Sequence, residues 1–236
     1  MSIPVMNTSD KTLRWAALAV LALTTTAQAQ SFAIYGNLGT VNSSTTSNTA
    51  GYLSLSQPDQ WQAQGFSVSG TSAWAIDSVT LGLGSTGSPD VKIELFSSSS
   101  GAPGTSLGSF NNPGGVSSTA LYTFTAGTGT FNLSPGSSYW IVAHNLNSAS
   151  TQESYEWYSN DSFTPPSEKS SSGLSYLGTK ERNGLATWND TLPYLSISIS
   201  GSAVSAVPEP AEYAVVTGLA LGVFALVQRR RQAAGR

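Results

Sequence analysis

The sequence contains no cysteine and a single histidine among its 236 residues. Without cysteine, the chain can form neither a disulfide nor a thiolate-based catalytic or metal site, so burial of apolar surface must stabilise its fold. His144 would have to be the base of any Ser-His-Asp triad. The G-x-S-x-G pattern occurs at 104–108, but no predicted helix follows it, as a nucleophile elbow would require. We interpret His144 as a strand-end residue bonded to backbone or water. A zinc site is not expected, since it would have only carboxylates as further ligands.

Basic residues are scarce in the central region, positions 30–206. This region contains ten acidic and four basic side chains, which gives a net charge of −6. The affinity of a protein for nucleic acid depends on the neutralisation of phosphates by Lys and Arg. The composition therefore argues against nucleic acid as a partner and leaves a weakly acidic region of one domain's size.

Apolar residues with helical spacing are also missing from this region, and short alternating runs replace them. Glycine, proline, serine and asparagine separate these runs at intervals of about 8–12 residues, as in antiparallel sandwiches. The sequence predicts an all-β fold over 30–206, a jelly-roll-like antiparallel β-sandwich. The predicted strands include 79–83, 91–95, 122–124, 131–133, 139–143 and 195–199.

Two of these runs allow predictions for single residues. In the run 91–95, Val91, Ile93 and Leu95 are predicted to face the core, and Lys92 and Glu94 to face solvent. The run 139–143 is continuously apolar, which predicts a central strand buried on both faces. The polar segment 42–48 is predicted to be a loop or a flexible lead-in, and 164–173 is predicted to be a long connecting loop.

The N-terminus has the pattern of an export signal. A basic segment at 11–14 precedes nine apolar residues, 15–23, and the motif Ala-Gln-Ala at 27–29. This order predicts a signal peptide, 1–29, that is cleaved before Gln30. Nine apolar residues are too few to span a bilayer core of roughly 30 Å, so an uncleaved anchor is not expected.

The C-terminus combines a rigid polar tripeptide, an apolar segment and a basic cluster: Pro208, Glu209 and Pro210, then 211–227, then Arg229, Arg230 and Arg231. This order resembles the PEP-CTERM sorting tail of Gram-negative bacteria, over positions 207–231. The resemblance implies processing by an exosortase, an integral membrane cysteine protease.

The apolar segment is predicted to be a single transmembrane helix, with the arginines as a stop signal, a cytoplasmic tail at 232–236 and the body on the periplasmic side. The alternative is an ordinary single-pass anchor that follows a Pro-Glu-Pro sequence by chance.

A second resemblance covers about positions 66–145. The chain carries in one order VTLGLG (79–84), VKIELF (91–96), GAPG (101–104), LG (107–108), FNLSPG (131–136) and YWIV (139–142). This order is similar to the choice-of-anchor R type of exported bacterial domain. The resemblance implies an all-β surface domain and supplies no biochemical activity.

Paired carboxylates would be needed by a glycosidase. Glu153 and Glu156 point to opposite faces of an extended segment, and Glu156 and Asp161 would converge only through a turn. We interpret all three as solvated loop acids. Loop Asp and Asn oxygens would be the ligands of a structural Ca²⁺, although no EF-hand-like loop is present.

The aromatic residues are the main candidates for a binding surface. Tyr155, Trp157 and Tyr158 cluster in one segment, and Trp188 lies beside Asn189 and Asp190. Period-two alternation places Tyr155 and Trp157 on one face and Tyr158 on the other. Such residues bind sugar rings, but they also fill sandwich cores, and both interpretations stay open.

These features favour an exported, non-catalytic structural or binding protein of the bacterial envelope or extracellular matrix, handled by an exosortase-type system. PEP-CTERM proteins are associated with exopolysaccharide-producing, biofilm-forming bacteria, so the resemblance implies a matrix context. One alternative is a carbohydrate-binding module that grips matrix polysaccharide through Tyr155, Trp157 or Trp188. The other is a glycan-active enzyme, which one histidine and scattered acids disfavour. No cofactor is expected.

Overall fold

The computed structural model describes residues 30–38, 60–86, 90–127, 131–145, 154–159, 164–184, 186–191, 194–204 and 210–234. The predicted signal peptide 1–29 and the predicted loop 42–48 lie outside these residues, as do Pro208 and Glu209 of the sorting motif. By its internal contacts the chain divides after Gln30, and the fold described below is that of the unit Ser31–Arg236.

Thirteen strands are present in the described part of the chain, in agreement with the predicted all-β class. They are β1 (Phe32–Gly36), β2 (Gln60–Val68), β3 (Trp74–Thr86), β4 (Val91–Ser99), β5 (Ala102–Asn111), β6 (Ala120–Ala126), β7 (Phe131–Leu133), β8 (Ser138–Asn145), β9 (Ser154–Trp157), β10 (Ser167–Glu168), β11 (Leu174–Asn183), β12 (Asn189–Asp190) and β13 (Ile197–Ala203). The predicted loop 164–173 contains β10, which pairs with β1.

These strands form one continuous antiparallel sheet, in the order β10-β1-β13-β3-β6-β5-β4-β8-β2-β11-β12, with β7 and β9 paired to β3. In this order, the strands from β10 to β6, together with β7 and β9, are called the first half-sheet. The strands from β5 to β12 are called the second half-sheet. The predicted jelly-roll-like sandwich of two separate sheets is therefore wrong. The physical reason is β5, which pairs with β4 along most of its length and then with β6 at Phe110 and Asn111, so that the sheet curls without a break.

The main core contains apolar side chains of both half-sheets, and the predicted alternation places them there. Val91, Ile93 and Leu95 are fully buried on the core side of β4, as predicted. Strand β8 is buried on both faces, also as predicted, because Tyr139 and Ile141 contribute to this core while alternate residues pack on the opposite side. The largest fully buried side chains of the first half-sheet, which contains β9, include Tyr35, Ile76, Leu81, Leu83, Phe124, Tyr155 and Trp157.

A single helix, α1 (Pro210–Ala234), is present in the described part of the chain. No helix among the described residues is long and apolar enough to cross a membrane, so the predicted transmembrane helix 211–227 is wrong. The uncharged stretch between Glu212 and Arg229 comprises 16 residues, fewer than the roughly 17–25 that a membrane span needs. The helix also continues through Arg229 to Ala234 instead of ending before the basic cluster.

Candidate functional site

The candidate site is a row of side chains on the face of the second half-sheet that points away from the main core. Strand pairing places Arg182 of β11 opposite Trp61 of β2, Trp61 opposite His144 of β8, and His144 opposite Lys92 of β4. Trp188, just before β12, continues the same level beside Arg182. These five residues are called the outer-face row below. The row exists because each lies at the same register position on neighbouring strands.

Aromatic and guanidinium planes stack along this row. The rings of Trp61 and His144 are 4.0 Å apart and nearly parallel, at 13°. The guanidinium carbon of Arg182 lies 3.9 Å from the centroid of the Trp61 ring and 4.8 Å from that of Trp188. Arg182 is therefore held between two indoles, in the geometry of a cation–π contact. Trp61, Arg182 and Trp188 are all partly exposed.

A buried carboxylate supports the row from the next register level. Glu94 is 6% exposed, so the prediction that it faces solvent is wrong. Its Oε2 lies 2.8 Å from His144 Nε2, and its Oε1 lies 3.0 Å from Lys92 Nζ. Ser106 of β5 donates its hydroxyl to Oε1 over 2.9 Å. The alternation placed Glu94 on the correct face, but that face is covered by neighbouring side chains.

These contacts determine the charge of each group. Burial acts to raise the pKa of Glu94, but hydrogen bonds from Lys92, Ser106 and His144 outweigh it and hold the pKa below its ordinary value of 4.5. Burial lowers the pKa of His144 below 6.5, and the Glu94 carboxylate opposes this only in part. His144 is therefore neutral at pH 7 and donates its Nε2 proton to an ionised Glu94. The prediction that it bonds to backbone or water is wrong.

A small second core lies on the same face, at the register levels next to the row. It contains Ala63, Phe96, Trp140 and Val142, with Trp61 and Trp188 packed against it. Trp140 lies across Gly65, its partner on β2, where a Cβ atom would come within 2.8 Å of the indole ring. Its Nε1 donates to Ser98 Oγ over 3.1 Å. Large aromatic side chains thus cover this part of the outer face.

The structure separates the three aromatic residues that were candidates for a ligand surface. Tyr155 and Trp157 are buried in the main core, at 2% and 0% exposure. Tyr155 donates its hydroxyl to the Ala143 carbonyl over 2.7 Å, and Trp157 donates Nε1 to the Ser196 carbonyl over 2.9 Å. Trp188 alone reaches the surface, in the outer-face row. Tyr158 is also buried, so alternation does not divide this segment into an inner and an outer face.

Glu156 is not the solvated loop acid that was predicted, because it lies on β9 and is partly buried. Glu156 accepts a hydrogen bond from the Tyr158 hydroxyl, while Glu153 and Asp161 lie outside the described residues. Among the described residues, no three acidic or histidine side chains lie close enough together to hold a metal ion.

Four members of the site were missed as binding candidates by sequence reasoning: Trp61, Lys92, His144 and Arg182. A signal was available in β2, where Trp61, Ala63 and Gly65 alternate with residues that face the main core, Gln62, Gln64 and Phe66. That alternation identifies an aromatic residue on the outer face. It does not identify the neighbours of Trp61, because the order of strands in a sheet is not written in a local pattern.

No protein-family model and no curated protein matches the chain. Among solved structures, the chain is similar to one described as the cysteine protease and lectin-like domains of Cwp84, a surface layer associated protein of Clostridium difficile. The identity is 16% and the TM-score 0.42, over 62% of this chain and 32% of the other. The chain thus spans about a third of that protein, and a TM-score of this size is too low to assign a shared fold.

Proposed function

We propose that the chain is an exported, non-catalytic binding protein of the bacterial envelope or extracellular matrix, and that it holds polysaccharide on its outer-face row. The observation that carries the proposal is the row itself. Aromatic and hydrogen-bonding side chains are aligned across five neighbouring positions of a rigid sheet. At about 4.8 Å between strands, these positions extend over roughly 19 Å. An elongated ligand such as a sugar chain suits a surface of this shape.

The chemistry of the row supports a sugar ligand. Trp188 is partly exposed at one end and supplies indole surface for the C–H face of a sugar ring. Arg182 and Lys92 supply N–H donors for ring substituents. The contacts of Arg182 with Trp61 and Trp188 hold its guanidinium in place before a ligand arrives, which lowers the entropic cost of binding.

The contacts of Glu94 and His144 support a non-catalytic role. A glycosidase needs two carboxyl groups on either side of the scissile bond. Glu94 is buried, and its oxygens accept bonds from Lys92, His144 and Ser106. His144 is stacked on Trp61 and directs Nε2 at Glu94. Glu94 and His144 therefore hydrogen-bond to each other and stabilise the fold.

A glycan array tests the binding proposal. Trp188→Ala should lower the affinity for bound polysaccharides by about tenfold, since truncation of an aromatic residue that anchors a ligand costs more than about 1 kcal/mol. Phe32→Ala is the matched control, because Phe32 is a partly exposed aromatic residue on β1 of the first half-sheet. Absence of binding to any glycan would instead favour a purely structural protein. Release of reducing ends during incubation with polysaccharide would contradict the non-catalytic assignment.

The terminal patterns support export and processing, and cell fractionation with mass spectrometry of the mature protein tests both. We expect the N-terminus at Gln30 and a C-terminus that has lost Arg229–Arg231, as exosortase-type processing of the Pro208-Glu209-Pro210 tail implies. Replacement of the tripeptide by Ala-Gln-Ala should leave the arginines on the protein. A mature protein that begins before Ala27 would refute the signal peptide, and unchanged maturation of the variant would refute the sorting motif.

A further inference from the structure

The basic residues of the body are concentrated on the face that carries the outer-face row. Positions 30–206 contain four bases, and three of them, Lys92, Lys180 and Arg182, lie on this face. Lys180 is 14% exposed and paired with Asp190 over 2.6 Å. Arg182 and Lys92 belong to the row itself. Lys92 and Lys180 are paired with Glu94 and Asp190, but the three cations outnumber these two carboxylates. In a body with a net charge of −6, this local excess of positive charge points to a ligand of negative charge.

Arg182 has the geometry of a carboxylate receptor. The centroids of the Trp61 and Trp188 rings lie 3.9 Å and 4.8 Å from its guanidinium carbon, so we expect a ligand to approach the group along its planar edge. That edge carries N–H groups in a fixed fork, which matches the two oxygens of a carboxylate. A flexible cation would lose more entropy on binding than one already held between two rings.

Lys92 supplies a second cation at the other end of the row. Its side chain is 34% exposed and its ammonium contacts Glu94 Oε1 at 3.0 Å. An ammonium has three donors, so one bond to Glu94 leaves capacity for a ligand. Three strand spacings separate β4 from β11, which places the two cations roughly 14 Å apart. His144 between them is neutral at pH 7, and Glu94 lies on the neighbouring register level.

We propose that the polysaccharide bound by the outer-face row is a polyuronate, whose sugar carboxylates are held by Arg182 and Lys92. This inference rests on the proposed function of the row. A polyuronate carries a carboxylate on successive sugars, so a single extended chain presents negative charge to both cations in many registers. Its sugar rings provide C–H faces for Trp188 between the charged contacts.

Isothermal titration with alginate and with carboxyl-reduced alginate tests the inference, because the two polymers differ mainly in charge. The protein should bind alginate at least about tenfold more tightly, and added salt should weaken this binding. Arg182→Gln and Lys92→Gln should each abolish most of that preference. Lys169→Gln is the matched control, since Lys169 is the body's fourth base and lies beside β10 of the first half-sheet.

The possible outcomes separate the two proposals. Equal affinity for both polymers would overturn the polyuronate ligand and leave polysaccharide binding intact. Binding of neither polymer, together with an empty glycan array, would overturn the proposed function itself. Arg182 is packed between indoles, so thermal unfolding must show that its variant is folded. If that variant is unfolded, Lys92→Gln decides, because Gln can still donate to Glu94, and an unchanged preference for alginate would refute the inference.

Discussion

Trp157→Ala is expected to lower the free energy of unfolding by about 3–5 kcal/mol, the cost of truncating a fully buried aromatic residue. The Trp157 side chain is 0% exposed in the main core, and its Nε1 is hydrogen-bonded to the Ser196 carbonyl. Truncation leaves a cavity and removes one of the two hydrogen bonds that the Ser196 carbonyl accepts, the other coming from the Gly82 N–H. Urea unfolding followed by circular dichroism measures the change.

Two control variants define what this loss means. Trp157→Phe keeps most of the ring volume and loses only the hydrogen bond, so its cost should be clearly smaller than that of Trp157→Ala. Trp188→Ala removes a partly exposed ring, so it should lower the free energy of unfolding by less than Trp157→Ala does. It should at the same time weaken ligand binding. A stable, folded Trp157→Ala protein that has lost glycan binding would show that this tryptophan contacts a ligand after all.

Glu94→Ala is expected to cost about 3 kcal/mol, near the lower end of the cost of removing one partner from a buried ion pair. The carboxylate accepts bonds from Lys92, His144 and Ser106, and its removal leaves His144 buried without this acceptor. Lys92 is partly exposed and can turn to solvent, which limits the cost. Glu94→Gln should cost less, since an amide oxygen can still accept one of the bonds. A change below about half a kcal/mol for Glu94→Ala would mean that Glu94 faces solvent.

The same carboxylate makes stability depend on pH. The pKa of folded Glu94 lies below 4.5, so below that pH the unfolded chain binds a proton before the folded chain does. The free energy of unfolding should therefore fall as the pH falls from 4.5 through the folded pKa. The pKa of folded His144 is likewise lowered, so a separate loss begins below pH 6.5. In Glu94→Ala the loss below pH 4.5 should become shallower, and an unchanged pH profile would contradict the assigned contacts.

Local sequence patterns were sufficient for the all-β character of the body and for the main core. The alternation of Val91, Ile93 and Leu95 with polar residues predicted the core face of β4, and the continuous run 139–143 predicted a strand buried on both sides. Both predictions hold because the side chains of a strand alternate with period two whatever the partners of the strand are. The predicted helix near the C-terminus is present, but its uncharged stretch is shorter than a helix that spans a bilayer core needs.

Strand order and the environment of each face were decided by the tertiary structure. Sequence assigned Lys92 and Glu94 to the correct face, but only the approach of β8 and β5 buried Glu94 against His144 and Ser106. It could not separate Trp188, at the surface, from Trp157, in the core.

The outer-face row depends in the same way on contacts between distant parts of the chain. Trp61, Lys92, His144 and Arg182 are far apart in sequence and meet because β4, β8, β2 and β11 are neighbours in the sheet. The sequence by itself determined which residues share a face, because that depends on local geometry. The tertiary structure decided which residues touch, because that depends on long-range pairing.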